Sequence, residues 1–178
     1  MKAILRSGFL ALAIMALAVP AHAGPFEDGK AAYDRDAQSI SIEAAEFLVF
    51  LNDSEGNQQS VFQSDLVPLI PNRVCYGWRI RLAGAERLVR FKEVFSLPAE
   101  PEFWGEENDE FSTSKISENR TISVTEMFIP MQDGWIDHNW CVADGDPIGK
   151  HSIEVHINGQ FAKRFDFQVR DVSVPLEN

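Results

Sequence analysis

The chain has 178 residues and a mass of 20.0 kDa, enough for one domain with a real core and hardly enough for two. Hydrophobic and charged fractions of 45% and 24% are ordinary globular values, and 13 Phe against 2 Tyr point to aromatic packing in an interior. The net charge of −11 argues against nucleic acid or an anionic membrane as partner, because both need basic surface.

Residues 1–23 read as a secretory signal: Lys2 and Arg6 form a positive n-region, Gly8 to Val19 an apolar stretch, and Ala21-His22-Ala23 a small-x-small cleavage site. That apolar run is too short for a spanning helix, and residue 24 is Gly rather than the Cys of a lipid-anchored protein. Cleavage removes two cations and no acid, taking the charge from −11 to −13. The expectation is an exported chain, periplasmic or secreted, with no membrane insertion after cleavage. Residues 24–38 read as a leader or linker. Their loose helical pattern resembles the opening helix of Sel1-like and tetratricopeptide repeat proteins, but no second repeat follows.

The domain is expected over residues 39–172, with 173–178 a tail. Ser39 to Leu51 alternates at Ile40 and Ile42 and then runs Phe47-Leu48-Val49-Phe50-Leu51, which favours strand. Asn52 to Gln59 is a polar turn containing Gly56. Ser60 to Leu66 reads as a short strand before Pro68 and Pro71, an edge or a connector. Arg73 to Leu82 is the best central strand, with Val74, Tyr76, Trp78, Ile80 and Leu82 on one face. After a turn at Gly84, Arg87 to Phe95 is a strand aligning Val89, Phe91 and Phe95. Glu102 to Ser114 has no apolar period and reads as a long exposed loop, and Glu118 to Ile129 returns to strand. Met131 to Asp146 reads as a loop, and Gly145 to Gly149 as the bend that starts a hairpin.

That hairpin is the strongest local signal. His151 to Ile157 puts Ile153, Val155 and Ile157 on one face, and Gln160 to Val169 puts Phe161, Phe165, Phe167 and Val169 in apolar positions around an interruption at Lys163. The Asn158-Gly159 pair between them suits a tight primed turn. About seven short strands separated by turn signals suggest an all-β, antiparallel sandwich of immunoglobulin type. A small closed barrel is the alternative, which spacing alone does not separate from a sandwich.

The order of several short motifs supports a comparison: Ile70-Pro71, Gly77 to Leu82, Trp140, Gly145-Asp146-Pro147 with Gly149, Ile153 to Val155 with Asn158-Gly159, and Phe165-x-Phe167-x-Val169. The chain resembles an uncharacterised bacterial family of exported or envelope proteins with an immunoglobulin-like domain of unknown function. The resemblance implies a β-sandwich and carries no activity, cofactor or catalytic residue.

Candidate sites are few. Export favours joining the only two cysteines, Cys75 and Cys141, with separate thiols as the alternative. Strand alternation puts the pair on the outer side of the strands, where a bridge would not pin two sheets through the core. No cofactor or metal is expected: no His-Glu-x-x-His, Cys-x-x-Cys or phosphate loop occurs, and His151 and His156 lie at an odd offset that faces them apart. The acidic run of Glu106, Glu107, Asp109 and Glu110 reads as a solvated loop or a dock for a basic partner, and Trp104 and Trp135 are the Trp pair to inspect for an exposed platform. The functional expectation is a non-enzymatic, exported binding module for an envelope or secreted protein. Alternatives are a periplasmic chaperone-like protein using a sheet edge, or a hydrolase with its site near His138, beside Asp133 and Asp137.

Overall fold

The computed structural model describes residues 40–84, 88–104 and 111–172. The signal, the leader and the tail lie outside the described residues.

Ten strands occur among the described residues: β1 Ile42–Asn52, β2 Gln58–Gln63, β3 Leu66–Pro68, β4 Val74–Leu82, β5 Leu88–Ser96, β6 Ser112–Ile116, β7 Ile122–Pro130, β8 Trp135–Cys141, β9 Gly149–Ile157 and β10 Gln160–Arg170. They form a four-stranded sheet, β2-β1-β4-β8, and a six-stranded sheet, β3-β10-β9-β5-β7-β6. Every pairing is antiparallel except β3 with β10. The architecture is a β-sandwich of two mainly antiparallel sheets, as the spacing suggested, with ten strands where about seven were expected.

Period-two patterning builds the core. From the four-stranded sheet, Val74, Tyr76, Trp78, Ile80 and Leu82 of β4 point inward with Phe47 and Val49 of β1. From the other sheet come Val89, Phe91 and Phe95 of β5, Ile153, Val155 and Ile157 of β9, and Phe165, Phe167 and Val169 of β10. Rings meet across the interior: Phe47 stacks on Phe167 at 4.6 Å, and Trp78 meets Phe91 edge-on at 5.2 Å. At the hairpin, Asn158 and Gly159 both take positive φ, 51° and 79°, the backbone of the primed turn.

Several local expectations need correction. The presumed loop from Met131 to Asp146 contains strand β8. Its inward row of Ile136, His138 and Trp140 mixes apolar and polar groups, which hides the period. The presumed loop from Glu102 to Ser114 ends in β6, which starts at Ser112. Phe161 is 61% exposed, because a bulge between Phe161 and Lys163 inserts Ala162 and resets the alternation. In β7 the buried residues are Ser123 and Thr125, while Ile122 and Val124 lie on the other face.

Candidate functional site

The inward row of β5 reads Val89, Phe91, Glu93, Phe95, and the misfit is the glutamate. Glu93 is 1% exposed. Its carboxylate crosses to the facing sheet and meets a prepared set of partners. Trp78 on β4 donates its indole N–H to Oε2 at 2.5 Å, and Trp140 on β8 donates to Oε1 at 2.8 Å. His138 Nδ1, also on β8, lies 3.1 Å from Oε2. An indole N–H only donates and the carboxylate oxygens of Glu93 can accept, so the set is chemically matched. Phe91, Trp78 and Trp140 rings surround the imidazole at 5.3 to 6.4 Å. The buried Tyr76 phenol is pushed well up by its burial and then by the charges of Asp146 and Glu93, so it stays neutral.

This cluster ties the sheets together and revises His138, expected in a loop beside Asp133 and Asp137. The residue sits in a strand, 16% exposed at its side chain, turned inward onto Glu93. The sequence signal that could have found the cluster is the lone acid in the β5 row, two residues from Phe91 and two from Phe95.

Cys75 and Cys141 stand directly opposite each other on β4 and β8, and their sulfurs are 2.00 Å apart. The bridge joins neighbours within one sheet, on the outward face. Trp135, at the start of β8, lies under the Arg79 guanidinium at 4.5 Å on that same face. Trp104 is 6% exposed; its indole donates to the Arg120 carbonyl at 2.7 Å, and its ring meets Phe95 and Trp140 edge-on. The structure therefore does not bring Trp104 and Trp135 together as an exposed platform. Glu106, Glu107, Asp109 and Glu110 lie outside the described residues.

The other histidines are separated as their odd offset requires. His151 is buried, with Nδ1 3.0 Å from the Gly149 carbonyl and its ring stacked on Phe167. Burial holds its pKa below the ordinary value, partly opposed by the Gly149 contact. His156 faces outward, 2.6 Å from Glu154. Among the described residues no group of three His, Cys, Asp or Glu could hold a metal ion, and no helix is long and apolar enough to cross a membrane.

The surface feature that sets this sandwich apart is the β2 edge. All six residues of β2, Gln58-Gln59-Ser60-Val61-Phe62-Gln63, are exposed. β2 pairs with β1 on one side only, from Leu48↔Gln63 to Asn52↔Gln58. Natural sheets blunt such edges with charge, proline or brevity. The other three edge strands do so: β3 is three residues long and ends in Pro68, β6 carries Lys115, and β8 carries Asp137. β2 has neither charge nor proline. Where it leaves β1 and the chain crosses at Ser64-Asp65, a groove of 420 Å³ opens, floored by Phe47 and Phe165.

Among curated proteins, none matches the chain. Two solved structures are similar in outline. One is an immunoglobulin-like protein from Pseudomonas aeruginosa, PA1606, with a TM-score of 0.48 and 16% identity, covering 75% of this chain and 98% of that one. The other is the Pseudomonas fluorescens alkylpurine DNA glycosylase AlkC bound to abasic-site DNA, with a TM-score of 0.39 and 11% identity over 78% of this chain; the match spans only 32% of the glycosylase. Residues 45–170 match the PM0630 beta sandwich domain, a span that runs from β1 to the end of β10. The chain belongs to the PM0630 beta sandwich domain family.

Proposed function

We propose that this is an exported, non-enzymatic binding module that takes up an extended segment of another envelope or secreted protein along β2. The carrying observation is the uncharged, proline-free edge, exposed over its whole length. An added strand would complete the unused side of the β2 ladder through main-chain hydrogen bonds, the mode known as β-augmentation. The signal-like residues 1–23 and the paired cysteines support export. The non-enzymatic reading is supported at His138, the residue on which the hydrolase alternative rests. Its Nδ1 faces a carboxylate that two indoles already occupy inside the core.

The test is site-specific photo-crosslinking in intact cells, with the probe at Val61 on β2 or at Lys115 on β6. The expected result is a discrete protein adduct from Val61 and none from Lys115. Absence of an adduct at Val61, or equal adducts at both edges, overturns the reading. The mass of the mature chain from the envelope fraction is expected to begin at Gly24; an unprocessed cytoplasmic chain would overturn export.

A further inference from the structure

The ends of the β2 edge differ in charge from its centre. The turn entering β2 carries the half-buried Asp53 and the exposed Glu55. Asp53 caps that turn by accepting the amide N–H groups of Glu55 and Asn57, both at 2.9 Å, and the Gln59 side-chain amide at 2.9 Å. These donors are neutral, and the backbone hydrogen bond from Asn57 holds the Asp53 pKa below its ordinary value, so its charge persists. Arg73 forms no ion pair with these acids among the described residues: its guanidinium donates to the Asn52 carbonyl at 2.6 Å, and it precedes β4, on the side of β1 away from β2. Just past the other end, Asp65 is exposed, and Arg164 at the groove rim is already paired with Asp166 at 3.0 Å. Among the described residues no ion pair uses Asp53, Glu55 or Asp65.

An uncharged rail thus runs between two acidic ends. A second copy laid antiparallel on β2 would bring the Asp65 end of one chain to the Glu55 end of the other, acid against acid, on a chain already carrying −11. We infer that the occupant of β2 is a foreign extended segment with an uncharged, alternating centre and Lys or Arg at both ends. This inference rests on reading β2 as the docking edge. The inward face of β2 specifies the alternation. Phe62 pairs with core-facing Val49 yet is 39% exposed, so an apolar side chain of the added strand would cover it. Beyond Gln63 the Phe47 and Phe165 floor receives one further apolar group.

Fluorescence anisotropy with the full mature chain tests this, using synthetic peptides of alternating valine and threonine as long as β2. One is flanked by lysines, one by glutamates, and a third is lysine-flanked with a central proline. The lysine-flanked peptide is expected to bind at least about tenfold more tightly than the glutamate-flanked one at low salt, a gap that narrows as salt screens the ends. Glu55→Gln with Asp65→Asn is expected to remove most of the gap, and central proline to abolish binding. Equal binding of the lysine- and glutamate-flanked peptides would overturn the charge assignment and leave the edge reading standing. Failure of every peptide, together with no Val61 adduct in cells, would overturn both. A dimer in analytical ultracentrifugation that Val61→Lys dissolves would make a second copy the occupant and overturn the choice of a foreign strand.

Discussion

At one margin of the four-stranded sheet, β8 is held to its neighbour and on both of its faces. The Cys75–Cys141 bridge ties it to β4, Trp140 and His138 reach inward to Glu93, and Trp135 packs under Arg79 outside. At the other margin, β2 has β1 on one side and solvent on the other, with all six residues exposed. Both strands are edges of the same sheet, so the difference is not one of position. It teaches that covalent, polar and aromatic restraints gather on the edge that also carries a charge, Asp137, while the edge without them lacks the charge or proline that would repel a visiting strand.

The contrast can be broken from the β8 side first. Replacing both cysteines by serine frees a loop with a sequence separation of 66. The expected loss is about 4 kcal/mol in the chain-entropy account, read as a lower urea midpoint. Glu93→Leu should come next, at about 3 kcal/mol, because it strands two buried indole N–H groups and a histidine at once. Glu93→Gln keeps an acceptor and should lose less; equal losses for the two variants would show that the hydrogen bonds are not what the carboxylate supplies.

Acid sharpens the same comparison with a smaller effect. The His151 pKa is held below its ordinary value of 6.5 by burial, so the unfolded chain binds that proton more readily. Above that value the group is neutral in both states and pH-insensitive. As pH falls below it, stability drops until the folded-state value is passed. His151→Gln should flatten this part of the urea-midpoint profile, and an unchanged profile would remove His151 as its source. The smallest effect belongs to β2. Val61→Lys should change stability by less than about 0.5 kcal/mol, as expected at an exposed site, while eliminating peptide binding. A large loss of stability there would mean that β2 is structural after all.

Legibility followed the range of the interactions. The β9–β10 hairpin was readable because its determinants are neighbours in sequence: Asn158-Gly159 for the turn, and Ile153, Val155 and Ile157 for the inward face. Strand β8 was not, because its inward residues are recognisable as a row only when Glu93 arrives from the opposite sheet to pair with Trp140 and His138. The exposed placement of Phe161 likewise needed the bulge at Ala162, a backbone adjustment that the apolar pattern does not record.

The order of residues by itself determined the strand class, the central place of β4 and the outward side of the cysteines, because side-chain alternation and turn preference act over a few residues. Tertiary structure alone decided that a glutamate belongs in the core and that the strand from Gln58 to Gln63, read from the sequence over Ser60 to Leu66 as an edge or a connector, lies exposed over its whole length. Both depend on which strand lies alongside or opposite, and long-range pairing is set by the packing of the whole sandwich rather than by any one segment of it.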